Sequence, residues 1–398
     1  MIFTKRTLPL LFIIWTLYSC TPIKNMYVPF GEAKEFHNEE KDDVIRIYFD
    51  RMGFIYPDIP IKSEEFTRND GRLNQLYANN LNLYGNACEV ENTIPSDSNL
   101  NTIPPYEDPL QTALIQKYIK KINVASDNKE LVFIIHGFNE YPLNARDSSS
   151  FEEMKQTRHV LERQTSEKEL HFIEIYWDGL TQEGGAEFLR PINSFKIWNN
   201  SQVSATHVGM ELRRVLSKIT KDNIYVITHS HGAGVITTAL FNVIKFRPNL
   251  YTNEGSWLNE LNMKYNNELY DTPKQKIVTG MLTPAIPGVN VFEEYYHRTI
   301  SGKNVLSSET NLKFIVGFNE HDPVTRKFKV AAKKLGSTSL ASIGNELLRT
   351  ENLFNDRNII DHVDFSTLSN GLPMNDHSWF TYLRNTNSMN RFITKLFN

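Results

Sequence analysis

The sequence predicts an α/β fold: a mostly parallel β-sheet covered by helices on both faces, with insertions forming a cap. Two observations carry this. Short runs such as Leu131-Val132-Phe133-Ile134-Ile135 and Ile224-Tyr225-Val226-Ile227 are apolar throughout, which suits strands buried on both faces. Between them lie longer stretches with apolar residues at the spacing of one helix face, including Leu110, Leu114, Ile115, Tyr118 and Ile122, and then Val208, Leu212, Leu216 and Ile219. Strands alternating with helices read as crossover units of a parallel sheet. The chain has 398 residues, 40% hydrophobic and 22% charged, enough to bury a large core.

The first twenty residues differ in kind. Lys5 and Arg6 precede the apolar run Leu8 to Leu17, and Tyr18-Ser19-Cys20 follows. A basic start, a short apolar run and a small residue make an export signal, too short for a comfortable membrane span. Leu17-Tyr18-Ser19-Cys20 resembles a bacterial lipobox, although Tyr18 is bulkier than the residue usual there. The resemblance implies a signal peptide over 1–19, lipidation of Cys20, and a lipid-anchored protein of the bacterial cell envelope. An uncleaved anchor helix and ordinary secretion are the alternatives. With Cys20 acylated, Cys88 is alone, so neither an internal disulfide nor a zinc site with two sulfur ligands is expected.

Residues 20–43 read as a polar tether with Pro22, Pro29, Gly31 and the charged run Glu39 to Asp43. Residues 44–398 then read as a single domain with an N-terminal extension over 44–109. In the extension, Val44 to Phe49 is a strand broken by Arg46, Met52 to Ile61 can pair with it, and Gly71 to Leu83 suits a helix. Asn86 to Pro105 reads as a loop. Beyond it come a helix over Leu110 to Ile122, the strand Leu131 to Ile135, a helix over Phe151 to Leu161, and the strand Leu170 to Trp177. A helix over Val203 to Ile219 leads into the strand Ile224 to Ile227, followed by a helix from Ala233 to Val243. Ile277 to Leu282 and Leu312 to Val316 are further strands. Ile359 to Phe365 is an edge strand or a loop, and His377 to Leu383 begins a terminal helix. The insertions Leu180 to Gln202, Asn249 to Lys274 and Pro284 to Thr310 are rich in aromatic and apolar residues and are expected to roof a pocket.

Chemistry concentrates at Thr228-His229-Ser230-His231-Gly232, where a strand ends and a helix begins. A Ser at such a turn is lifted out of the sheet with its hydroxyl exposed, and the helix N-terminus behind it favours negative charge. Read alone, Ser230 is equally a helix-capping residue. Three other segments join it: His136-Gly137-Phe138-Asn139 after one strand, Asn319-Glu320-His321-Asp322 after another, and Asn375-Asp376-His377-Ser378-Trp379 before the last helix.

Together these segments resemble the α/β-hydrolase superfamily over roughly Leu131 to Leu383, and the HGFN stretch is similar to that of poorly characterised bacterial hydrolases. The resemblance implies Ser230 as nucleophile, Asp322 as acid and His377 as base, in the chain order of that fold. It also implies an oxyanion hole made by the backbone N–H groups of Phe138 and His231. Glu320 is the rival acid and His362 the rival base. Thr228 stands where the family pattern G-x-S-x-G has its first Gly, a departure that a compact residue can tolerate. His136 reads as a brace of its loop, and His136, Trp177 and His229 are expected near the pocket.

The net charge of −3 leaves no basic footprint for nucleic acid. His229 and His231 at i, i+2 lack the companions of a metal site, so neither metal nor cofactor is expected. The reading is a serine hydrolase acting on an ester or thioester of a small molecule or lipid, held at the membrane through Cys20. A non-catalytic envelope lipoprotein that kept the fold for binding or assembly is the alternative.

Overall fold

The computed structural model describes residues 23–24, 43–57, 73–88, 103–138, 149–179, 181–182, 190–241, 273–286, 288, 291–292, 299–300, 303–304, 311–326, 339–341, 345–352, 359–366 and 377–398. Cys20, Asn139 and the insertion over 249–272 lie outside them. In chain order the main elements are β1 (Ile45–Phe49), α1 (Leu73–Asn79), α2 (Leu81–Cys88), α3 (Pro109–Ala125), β2 (Glu130–Ile135), α4 (Ser149–Gln164), β3 (Leu170–Trp177) and α5 (Arg190–Leu216). They continue with β4 (Asn223–His229), α6 (Gly232–Phe241), β5 (Lys276–Leu282), β6 (Leu312–Phe318), α7 (Asn345–Asn352), β7 (Ile360–Asp364), α8 (Trp379–Arg384) and α9 (Thr386–Phe397).

These seven strands form one sheet in the order β1-β3-β2-β4-β5-β6-β7, and every adjacent pair is parallel. β2 and β4 are central, which accounts for the uninterrupted apolar runs: Leu131 to Ile135 and Ile224, Val226 and Ile227 are essentially sealed from solvent. Helices α3, α5 and α6 form one layer, with α6 against β2 and β4. On the other face α9 packs on β5, β6 and β7, and α4 meets α8, α9 and β3. Helix α9 buries Met389, Phe392, Ile393 and Leu396 at the spacing of one stripe. Helix α3 starts where the sequence pattern places it, because Asp108 caps it by accepting from Leu110 N (2.7 Å) and Gln111 N (3.1 Å), with Pro109 in the first turn.

The extension was legible in part. Among the described residues, which reach Pro57 in this segment, β1 builds no extended hairpin with the stretch read as Met52 to Ile61; the two meet in a single antiparallel bridge, Phe49 to Ile55. Instead β1 lies parallel to β3, Ile45 opposite Ile173 and Phe49 opposite Trp177. Arg46, which interrupts the apolar run, is buried and ion-paired with Glu174 of β3 (2.9 Å), which also pairs with Arg158 of α4 (2.9 Å) and accepts from Tyr176 (2.9 Å). A charge inside an edge strand is thus matched by a charge on its neighbour, the arrangement burial requires. Ile360–Asp364 is a strand, closing the opposite edge. The helix before β4 begins at Arg190, inside the stretch read as an insertion. Ile23–Lys24 pairs antiparallel with Thr181–Gln182, so two residues of the tether lie beside the loop after β3. Among the described residues no helix is long and apolar enough to cross a membrane.

Candidate active site

Because all seven strands run the same way, their C-terminal ends share one edge, and the residue following each strand is delivered to it. That edge receives His136 after β2, Ser230 after β4, Thr283 after β5 and Asn319 after β6.

Ser230 is the pivot between β4 and α6. Its φ of 50° lies in the left-handed region, a conformation that costs a non-glycine residue about 1 kcal/mol or more. Hydrogen bonds hold it there: Ser230 N donates to Leu282 O (3.0 Å), while Ala285 N and Ala233 N donate to Ser230 O (3.0 and 3.3 Å). The retained glycine of the pattern has a steric cause. A Cβ on Gly232 would stand 2.5 Å from His136 O and 2.8 Å from Ile135 O. The missing glycine has none, since Thr228 is an ordinary strand residue between Ile135 and Met281, outside the left-handed region.

His377 and Asp322 converge on Ser230. His377 Nε2 lies 2.8 Å from Ser230 Oγ, and His377 Nδ1 lies 2.7 Å from Asp322 Oδ2. Ionised Asp322 only accepts, so Nδ1 carries the proton and Nε2 presents its lone pair to the Ser230 hydroxyl. Asp322 is fully buried, yet its other oxygen accepts from Val324 N (2.8 Å) and Thr325 N (3.4 Å). Oδ2 also accepts from Thr283 Oγ1 and, at 3.3 Å, from Tyr382 OH. Burial opposes its ionisation, but the adjacent His377 imidazole and these donors together hold the carboxyl below its usual value of 3.8.

Ser230 is only 3% exposed, against the expectation of an open hydroxyl. His377 covers Oγ, and the loop after β2 passes so close that a Cβ on Gly137 would stand 3.2 Å from Ser230 Cβ. His377, by contrast, keeps 16% of its side-chain surface exposed.

The remaining predicted residues are distributed as follows. His136 is sealed and braces its loop: its Nδ1–H donates to Gly137 O (2.6 Å), and its Nε2 accepts from Trp177 N (3.0 Å). Trp177 returns a bond from Nε1 to His136 O (2.8 Å) and stacks on the imidazole. Burial pushes His136 down from 6.5 to about 3, so it stays neutral. Phe138 lies edge-on to His231, whose Nδ1–H donates to Ala285 O (3.2 Å). His229 donates from Nε2 to the backbone oxygen of His377 (2.8 Å) and packs beside Trp379. Burial first, then the nearby His377, pushes it from 6.5 to about 3.

The rivals lie elsewhere. Glu320 sits on an exposed turn, its amide bonded to Ser366 Oγ (2.9 Å), and His362 pairs with Glu351. Among the described residues no group of three or more His, Cys, Asp or Glu is arranged to hold a metal ion. Sequence reasoning missed Thr283 and Tyr382. Thr283 carried a usable signal, being a polar residue immediately after an apolar strand, in the position that Ser230 also occupies. Tyr382 carried none, because nothing in Trp379-Phe380-Thr381-Tyr382 says which residue faces Asp322.

Sheet order, helices on both faces and a strand–Ser–helix turn after the central strand define the α/β-hydrolase fold. Neither a family model nor a curated protein matches the chain in sequence.

Proposed function

We propose that the chain is a serine hydrolase that cleaves an ester or thioester through an acyl-enzyme at Ser230. The observation that carries this is the continuous relay Ser230 Oγ, His377 Nε2, His377 Nδ1, Asp322 Oδ2, with links of 2.8 and 2.7 Å. His377 takes the hydroxyl proton as Ser230 Oγ bonds to the carbonyl carbon, and Asp322 keeps the required tautomer while facing the imidazolium that forms. The resulting oxyanion is received by the backbone N–H groups of Phe138 and His231, at the start of the α6 turn, where the helix terminus favours negative charge. His377 then protonates the leaving alcohol or thiol. Water attacks the acyl-enzyme by the same route in reverse, with His377 first as base and then as acid, restoring Ser230.

The half-buried Phe138 lies against His231 at the turn, which favours an apolar acyl group beside the carbonyl. The chain resembles the HGFN-type hydrolases in the segment at His136. Its substrate is a small-molecule or lipid ester met in the cell envelope, where acylated Cys20 anchors it.

The deciding experiment is labelling of the full-length chain with a fluorophosphonate probe. Parent protein is expected to label and Ser230→Ala to remain unlabelled; equal labelling of the two would refute the assignment of Ser230.

A further inference from the structure

We propose that Thr283 is a positioning residue for the acid, and that the loop Leu282-Thr283-Pro284-Ala285 couples the acid to the nucleophile; this rests on the serine-hydrolase reading above. Four contacts made by this one short loop carry it. Leu282 O accepts from Ser230 N and Ala285 N donates to Ser230 O, each at 3.0 Å, so the loop grips both backbone groups of the nucleophile. Ala285 O accepts from His231 Nδ1 (3.2 Å), holding the residue after the nucleophile. Between these anchors the Thr283 hydroxyl reaches Asp322 Oδ2, the same oxygen that receives His377 Nδ1–H.

The backbone of Thr283 argues for the same role. Its φ is 42°, in the left-handed region, where a β-branched side chain is a genuine outlier. It is fully buried, and its N–H donates to Gly317 O (2.8 Å), tying it to the end of β6 just before the loop that carries Asp322. A glycine or asparagine would meet the backbone requirement at lower cost. Neither would place a hydroxyl on Oδ2 with the stiffness of a branched Cβ.

With Thr283 and, at longer range, Tyr382 donating to Oδ2 beside His377, the carboxylate is held in one orientation towards the imidazole, and this fixes the tautomer that leaves Nε2 free to accept the Ser230 proton. Without the hydroxyl, Oδ2 keeps only the longer contact from Tyr382 besides His377. The carboxylate then gains rotational freedom, and the productive alignment is populated for a smaller fraction of the time. The loss falls on the chemical step, because Thr283 touches the acid rather than the substrate pocket.

The test measures fluorophosphonate labelling kinetics of the full-length chain for the parent, Thr283→Val and Thr283→Ser, separating the maximal rate from the half-saturating probe concentration. Thr283→Val keeps the branched shape and removes only the hydroxyl. Its maximal rate should fall at least about tenfold, the scale of one hydrogen bond to a charged group, with the half-saturating concentration unchanged. Thr283→Ser should return most of the rate. If Thr283→Val does not fold, as judged by circular dichroism, Thr283→Ala is compared with Thr283→Ser in its place. A valine variant labelling at the parental rate, or a serine variant as slow as valine, overturns the role of Thr283 while leaving Ser230 in place. A parent that does not label at Ser230 overturns both readings.

Discussion

Lowering the pH from 6.5 towards 5 should destabilise the folded chain steeply, and the slope follows from four buried groups. His136 and His229 are held at about 3 and His207 at about 4, each lowered from 6.5, with burial the leading cause. A group whose folded value is depressed leaves stability intact above its unfolded value and removes it as the pH falls towards the folded one. All three imidazoles are therefore neutral in the folded state across this window and protonated on unfolding. Asp50 works in the opposite sense. Burial raises it from 3.8 to about 7, against the amides of Leu73, Phe54 and Met52 that favour its anion, so between those values the folded state holds a proton that the unfolded chain releases.

Three imidazoles less one carboxyl leave a net uptake of about two protons on unfolding, a limiting slope of about 2.7 kcal/mol per pH unit near pH 5. His171 and Asp108 are shifted down and up respectively and act in opposite directions. Urea unfolding at closely spaced pH values from 5 to 6.5, checked by calorimetric proton uptake in buffers of different ionisation enthalpy, measures the slope. A flat dependence, or stability rising as the pH falls, would refute the assignment of neutral imidazoles to the folded state.

Two other predictions concern the turn and the anchor. Gly232→Ala places a methyl 2.5 Å from His136 O and 2.8 Å from Ile135 O, both backbone atoms that cannot swing aside. It should cost about 1–3 kcal/mol, as overpacking does, and abolish fluorophosphonate labelling by displacing α6 from β2; parental stability and labelling would contradict the close approach. For the anchor, cells expressing the chain should incorporate labelled palmitate, and Cys20→Ala should not. Incorporation independent of Cys20 would remove the lipidated terminus from the proposal.

What the sequence determined by itself was periodic and local. Central strands such as Leu131 to Ile135 were legible because a parallel strand covered on both faces must be apolar at every position. Helix α3 and the second half of α5 were legible in outline because a one-sided burial leaves a 3.6-residue stripe, whereas the terminal helix begun at His377 is broken at Asn385 into α8 and α9. The strand-end positions of Ser230 and His136 followed from the same patterns, and the resemblance supplied Asp322 and His377 in chain order.

The tertiary structure alone decided the rest, because those facts depend on partners far away in sequence. Arg46 reads as a break in a strand until Glu174, 128 residues on, is seen to neutralise it. β1 meets Met52 to Pro57 in a single bridge, while on its other edge β3 offers a buried strand and a matching charge. That Asp322 and His377, and not Glu320 and His362, converge on Ser230 is a matter of which side chains reach one point, and spacing in sequence does not encode that. Thr228 was the weak point of the motif in sequence and is an ordinary strand residue in the fold, since the close approach falls at Gly232. Thr283 shows the limit most plainly: a threonine after a strand was visible, but only the sheet's C-terminal edge brings it to an acid 39 residues later.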